Sequence, residues 1–189
     1  MNHPVTEALW LFSQQYIAAW QSRHGSLPES DLYEGLASPC VVKETDRGVQ
    51  WQPVKRNDHA DLSKIEAGME IRLCEEAHAY FSSQFSGDMS ARLDDLRFEL
   101  VQVWNDDDFV RLQENLIGHL VTQRRRKLNP TLFIGTTDAE LEVISLSNLT
   151  GEVILETLGT DKHTVLAPSL AEFLSLIKPD LDEQASFTA

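Results

Sequence analysis

Apolar residues at intervals of three and four positions predict two helical regions in the N-terminal half of the chain. The first set is Val5, Leu9, Phe12, Tyr16 and Trp20. The second set is Leu62, Ile65, Met69, Leu73, Ala77, Tyr80 and Gln84. We expect the first helix to end near Gly25 and the second to run to about Gly87, with Gly68 as a candidate break inside it.

The segment from Asn105 to Lys127 carries the clearest helix signals. Asn105 is a favourable N-cap, and three aspartates follow it in the first turn. The predicted buried stripe is Phe109, Leu112, Leu116 and Leu120. The basic run 124–127 closes the helix, so the charges at both ends complement the helix macrodipole.

Strands are predicted where apolar and polar residues alternate, or where short apolar runs lie between turn residues. The predicted strands are Cys40 to Lys43, Val49 to Gln52, Leu93 to Trp104, Thr131 to Thr136, Glu142 to Ser147, Val153 to Leu158 and Thr164 to Leu166. Residues 148–151 form a hairpin turn in this interpretation. Pro168 and Ser169 open a last helix, which Pro179 ends.

The order of these elements predicts an α+β fold. Helices lie at both ends and in the middle, with hairpin-linked strands between them, which favours a mostly antiparallel sheet with helices packed on one face. No internal repeat or linker divides the chain, so we expect a single domain. We assign residues 1–179 to this domain and residues 180–189 to a flexible C-terminal tail.

Net charge narrows the range of partners. The chain has 30 acidic and 16 basic residues and a formal net charge of −14, so its field repels phosphates and attracts cationic surfaces. We therefore expect no nucleic-acid partner. The N-terminus lacks the features of a signal peptide, and no apolar run approaches the roughly 20 residues that span a bilayer. Membrane association is expected only through a protein partner.

Residues that carry chemistry are too dispersed to predict an active site. Cys40 and Cys74 form no CxxC pair, and the His residues show no metal-ligand spacing, so we expect no metal, cofactor or catalytic residue. His119 lies beside the apolar stripe of the central helix, where a hydrogen-bonded packing role is expected. The alternative, a hydrolase that uses an Asp and His119, requires those groups to meet in a pocket.

Acidic residues are dense in the middle of the chain. They are Asp88, Asp94, Asp95, Glu99, Asp106, Asp107, Asp108 and Glu114. One interpretation is a solvated face with helix caps, and the other is a negative groove that captures a basic segment. Composition alone does not choose between these two interpretations.

Six segments, in order, resemble the Syd family of SecY-interacting proteins. They are Ser38-Pro39-Cys40, Trp51-Gln52-Pro53, Gln84 to Met89, Trp104 to Phe109, Gln113 to Gln123 and Glu140 to Ser145. The resemblance runs from the first helix to about Pro179. It implies a fold similar to that of the SMI1/KNR4-like group, which also includes immunity proteins that neutralise toxins.

The resemblance implies a non-enzymatic protein of the cytoplasm, peripheral on the cytoplasmic face of the inner membrane. Its partner would be SecY, whose assembly it would check or whose uncomplexed form it would restrain. The family is also described as having an acidic concave groove, suited to the basic cytoplasmic loops of SecY. Carried onto this sequence, the groove draws on Asp88, Glu99, Asp106, Asp107 and Asp108. An immunity-like toxin neutraliser is the alternative function.

Overall fold

A computed structural model describes residues 3–181. The helices are α1 (Pro4–His24), α2 (Ser63–Met69), α3 (Glu75–Ser82), α4 (Asp106–Arg125) and α5 (Leu170–Leu176). The strands of the first half are β1 (Glu29–Ser30), β2 (Val41–Thr45), β3 (Gly48–Trp51), β4 (Val54–Lys55), β5 (Gln84–Phe85), β6 (Met89–Leu93) and β7 (Leu96–Leu100). The remaining strands are β8 (Thr131–Thr136), β9 (Glu142–Ser147), β10 (Val153–Thr157), β11 (His163–Ala167) and β12 (Lys178–Pro179).

Seven strands form one antiparallel sheet in the order β11-β10-β9-β8-β7-β6-β12. β3 lies between β1 and β2 in a small three-stranded sheet, and β4 pairs with β5. α4 packs against β8 and α2, and α5 packs against β11. The prediction of a single α+β domain with an antiparallel sheet is therefore confirmed.

Two helix predictions are confirmed by their caps. α1 ends at Gly25, whose φ of 70° lies in the left-handed region that glycine adopts without strain. α4 begins after Asn105, whose side chain accepts a hydrogen bond from the Asp108 backbone N–H at 2.8 Å. Its predicted stripe is buried, with Leu116 fully enclosed.

The helical region predicted from Leu62 to about Gly87 divides into α2 and α3 next to the candidate break at Gly68, whereas its predicted end is wrong. The chain leaves α2 through Glu70, whose φ is 51°, and the next four residues are not helical. There the Leu73 N–H donates to the Glu66 carboxylate at 2.9 Å, and the Cys74 N–H donates to Asn148 Oδ1 at 2.8 Å. These side-chain acceptors replace the helical carbonyls, and one of them comes from a residue far along the chain.

The region around Gly87 contains strands instead of a helix end. The strand predicted from Leu93 to Trp104 is present as β7, but its predicted bounds are wrong. Leu93 ends β6, and β6 and β7 form a hairpin whose turn includes Asp94 at φ 51°. Gly87 allows the backbone of this region to lie close to the ring of Trp51. A Cβ atom at this position would lie 2.7 Å from the ring of Trp51.

Only the first two residues of the predicted C-terminal tail belong to the described part of the chain. Of the predicted tail 180–189, the structure describes Asp180 and Leu181, and the rest lies outside the described residues. Asp180 is buried, and its carboxylate accepts hydrogen bonds from Arg97 Nε at 2.5 Å and Nη2 at 3.0 Å. α1 packs against α3, α5 and β12. The first helix of the described chain therefore lies next to its last helix and last strand.

Candidate partner-binding groove

Residues 31–38, here called the strap, lie between β1 and β2 of the small sheet and are held against the start of α4. Ser38 Oγ donates to the Trp104 carbonyl at 2.6 Å, and Trp104 Nε1 donates to the Leu36 carbonyl at 3.0 Å. Asn105 Nδ2 donates to the Ala37 carbonyl at 2.8 Å. The strap begins with a 3₁₀ turn, Asp31–Tyr33, and is irregular after it. These bonds tie the irregular part to a helix terminus, so it has a defined position.

Tyr33 fixes the other part of the strap. Its ring stacks on Trp104 with centroids 4.0 Å apart, and its hydroxyl accepts a hydrogen bond from the Asp88 N–H at 2.9 Å. Burial, followed by the charge of Asp88, raises the pKa of the Tyr33 phenol, so it stays neutral at physiological pH. The strap is thereby joined to the loop that carries Asp88.

Two cavities lie on either side of the strap and share Leu32, Tyr33 and Asp88. The larger cavity, of about 310 Å³, lies between the strap and α4. The smaller cavity, of about 190 Å³, lies toward α1 and the sheet and includes Glu99. Together the two cavities form what we call the groove.

Asp88 occupies the centre of the groove. Its Oδ1 accepts a hydrogen bond from the Gln102 N–H at 3.0 Å. The Gln102 side chain is itself held in a buried network, because it accepts from Gln84 at 3.0 Å and donates to Tyr80 at 3.2 Å. The position of the carboxylate therefore depends on the core of the molecule.

The electrostatic environment of Asp88 favours its neutral form. The residue is open to solvent within the groove, but the surrounding walls restrict its hydration. This restricted hydration raises the pKa of Asp88 to about 7, and the charges of Glu99 and Asp108 act in the same direction, against the Gln102 hydrogen bond. A cation in the groove would relieve this repulsion.

The structure separates the predicted site residues into two groups. Asp88 lines both cavities, Glu99 lines the smaller one and Asp108 lines the larger one. The described lining residues of both cavities include neither Asp106 nor Asp107. These two are exposed on the first turn of α4, and the Asp106 carboxylate lies 3.6 Å from Arg56 Nη2.

Asp108 also has a structural role. Its Oδ2 accepts a hydrogen bond from the Trp104 N–H at 2.8 Å, which satisfies a donor just before the helix. Its Oδ1 faces Arg111, one helical turn along α4, at 3.7 Å from Nη2. That separation is longer than a hydrogen bond, so Arg111 neutralises the carboxylate only loosely.

Sequence reasoning did not identify the apolar and basic residues of the groove. On the strap, the side chains of Leu32 and Leu36 are 79% and 46% exposed, and both line the larger cavity. The sequence did contain one indication of this surface, which is two leucines in a short polar loop. Leucine side chains are usually buried, so exposed leucines can mark a binding surface. Arg111 and Trp104 gave no local signal, because their positions depend on how the strap docks.

His119 lies away from the groove in a hydrogen-bonded network. Its Nε2 is 3.0 Å from Thr131 Oγ1, which in turn donates to Glu156 at 2.6 Å and accepts from Gln123 at 2.8 Å. Burial lowers the pKa of His119, which favours the neutral ring. The hydrogen-bonded packing role expected for His119 is confirmed, and its described partners include no aspartate.

Within residues 3–181, no group of three His, Cys, Asp or Glu side chains is arranged to hold a metal ion. In the same part of the chain, every helix is too short or too polar to cross a membrane.

Comparison with known proteins identifies close relatives. The family model described as Syd protein (SUKH-2) matches residues 6–179. A Protein Syd from Cronobacter sakazakii is 51% identical over 179 residues, which cover 95% of this chain and 99% of that protein. Those from Aliivibrio fischeri (strain MJ11) and Yersinia pestis (strain Pestoides F) are 49% and 48% identical, covering 93% and 97% of this chain and 96% and 100% of theirs.

Proposed function

The chain belongs to the Syd protein family, and on that premise we propose that it is a non-enzymatic binding protein whose groove captures the basic cytoplasmic loops of SecY. It acts at the cytoplasmic face of the inner membrane and reaches the membrane through this partner. By occupying those loops it checks the assembly of SecY or restrains SecY that has not joined its complex.

The observation that carries this proposal is the position of Asp88 between Glu99 and Asp108. Asp88 joins the two cavities, and its raised pKa of about 7 reflects, after burial, repulsion from both neighbouring carboxylates. A lysine or arginine bound there gains attraction to several carboxylates and removes their mutual repulsion. The net charge of −14 also speeds the encounter with a basic segment.

The test compares two double variants that remove the same formal charge. Asp88→Asn with Glu99→Gln removes two carboxylates from the groove, whereas Asp94→Asn with Asp95→Asn removes two from the exposed turn between β6 and β7. Asn tolerates the left-handed backbone of position 94, so the control should fold. Binding to SecY in reconstituted vesicles would be measured at about 0.05 M and 0.5 M salt, with thermal unfolding in parallel.

We expect the groove variant to bind at least about tenfold more weakly than the parent at low salt, and the turn variant to bind almost as tightly. The affinity of the parent should fall as salt rises, because screening shortens the reach of exposed charges. Equal affinities for the two folded variants would contradict the proposed site. A parent that does not bind SecY, but retains a toxin from a cell extract, would favour the alternative function.

A further inference from the structure

The larger cavity has an uneven lining that suggests one kind of occupant. Its walls include the apolar groups Leu36, Trp104, Leu112 and Phe133. Asp88 and Asp108 add negative charge to the same lining. An apolar side chain alone would add no positive charge beside these carboxylates, and an anion would be repelled.

A lysine or arginine side chain matches both parts of this lining. Such side chains place an aliphatic stem along apolar surface while the charged head remains in a polar environment. A cavity of about 310 Å³ is large enough for one of them. Because the strap is held by hydrogen bonds to Trp104 and Asn105, this volume exists without a partner in place.

Arg111 already brings a guanidinium to this cavity. It lines the cavity, its side chain is 62% exposed, and its Nη2 lies 3.7 Å from Asp108 Oδ1. Because this contact is long and the Arg111 side chain is largely exposed, moving it away from Asp108 costs little free energy. Its presence indicates that the cavity accommodates a guanidinium next to Asp108.

We propose that the larger cavity is the pocket for a single lysine or arginine of the bound segment, and that Arg111 is an internal competitor displaced from Asp108 on binding. The identity of the partner rests on the function proposed above, whereas the chemistry of the pocket does not. Arg111 thus lowers affinity and favours partners whose basic residue has a stem long enough to reach past the strap.

The first experiment uses the full chain and two synthetic probes, hexalysine and hexa-2,4-diaminobutyrate, at one pH and low salt. The probes carry the same kind of ammonium group, but the second has two methylenes fewer in each side chain. If the stem is buried against the apolar wall, hexalysine should bind about tenfold more tightly. Equal affinities for the two probes, or no binding of hexalysine, would overturn the proposal.

A second experiment tests the competitor with matched variants of α4. Arg111→Gln and Arg125→Gln remove the same charge from exposed positions, but only Arg111 is among the described lining residues of the larger cavity. We expect Arg111→Gln to bind hexalysine about three- to tenfold more tightly than Arg125→Gln does. Equal or weaker binding by Arg111→Gln would show that Arg111 does not compete for the pocket.

A third comparison fills the pocket without changing charge. Asn115 is exposed and lines the larger cavity, whereas Thr122 is exposed on the same helix and is not among its described lining residues. Asn115→Trp should weaken hexalysine binding at least about tenfold, and Thr122→Trp should not. Normal binding by a folded Asn115→Trp would overturn the pocket assignment. Pocket binding of hexalysine by a parent that ignores SecY would instead contradict only the proposed function.

Discussion

Asp88 is held in place by the core, yet its charge is disfavoured where it lies. The buried amide of Gln102 fixes its carboxylate, while restricted hydration and the charges of Glu99 and Asp108 raise its pKa to about 7. In the unfolded chain an aspartate titrates near 4. Folding therefore makes ionisation of this side chain harder, which is a cost that a bound cation would offset.

This cost predicts a pH-dependent effect of Asp88→Asn on stability. Between about pH 4 and pH 7 the unfolded chain loses this proton before the folded chain does, so the parent loses stability as pH rises through that window. Asp88→Asn does not lose this stability, so its free energy of unfolding should rise relative to that of the parent as pH increases from 5 to 8. Because the carboxylate is open to solvent, we expect a gain of about 1 kcal/mol, or about 2 to 4 °C in Tm.

Thermal unfolding of parent and variant at pH 5 and pH 8 measures the effect. Asp95→Asn, in an exposed turn, serves as the control and should shift Tm equally at both pH values. A difference between Asp88→Asn and the parent that does not change with pH would mean that Asp88 titrates like an ordinary surface carboxyl.

The sequence predicts an acidic groove, and three of its five predicted residues lie in the lining of the two cavities beside the strap. Asp88, Glu99 and Asp108 line the groove, whereas Asp106 and Asp107 are neighbours of Asp108 in sequence and lie outside its described lining. Successive residues of a helix point in directions about 100° apart, so an acidic run cannot all face one cavity. The side that faces the cavity was decided by the strap, whose contacts span more than 60 positions.

Among the elements, the junction of α4 and the strap depends on one side chain with two tasks. Asn105 Oδ1 caps the helix by accepting the Asp108 N–H, and Asn105 Nδ2 donates to the Ala37 carbonyl. Helix stability and strap position are therefore coupled at this residue, and suitable substitutions separate them.

We predict different outcomes for Asn105→Ser and Asn105→Ala. Serine is a good N-cap but is too short to reach Ala37, so it should preserve most of the stability while releasing the strap. Alanine loses both functions and should cost about 1 to 2 kcal/mol of unfolding free energy. Urea unfolding measures the change in stability, and amide hydrogen exchange of residues 31–38 measures the release of the strap.

Both variants should show faster exchange in the strap than the parent. Unchanged exchange with Asn105→Ser would mean that the Ser38 and Trp104 bonds hold the strap without Asn105. Equal stabilities of the serine and alanine variants would argue against a contribution from the cap.

The elements that sequence patterns predicted well have strong local signals. α4 has a cap, a complete apolar stripe and matching charges at both ends, and β8 to β10 are short apolar runs between clear turns. The residues between α2 and α3 keep helical spacing, but their backbone bonds to Asn148 and Glu66. A pattern within one segment does not contain the distant acceptor Asn148, so the spacing alone does not show how far the break after Met69 extends.

On the scale of the whole molecule, the last described residues form one edge of the large sheet. β12 pairs with β6 at the edge of the seven-stranded sheet, and the buried Asp180 next to it accepts two hydrogen bonds from Arg97. The Asp180 side chain is only 2% exposed, so its charge depends strongly on hydrogen-bonded partners such as Arg97.

Asp180→Asn should therefore destabilise the fold by about 1 to 3 kcal/mol, since hydrogen bonds between charged groups are among the stronger ones. The variant keeps the shape of the side chain, so the loss would report charge and not packing. Urea unfolding measures this change, with the exposed Asp95→Asn as control. A difference of less than about 0.5 kcal/mol between the two variants would rule out a strong contribution from this pair.

The packing of α1 against α5 and β12 has a consequence for synthesis on the ribosome. The first helix is made early, but two of the elements that cover it are made last. At about 5 to 20 residues per second, α1 has α3 available but lacks α5 and β12 for on the order of ten seconds. We therefore expect part of this face to stay uncovered in the nascent chain until α5 and β12 have left the ribosome.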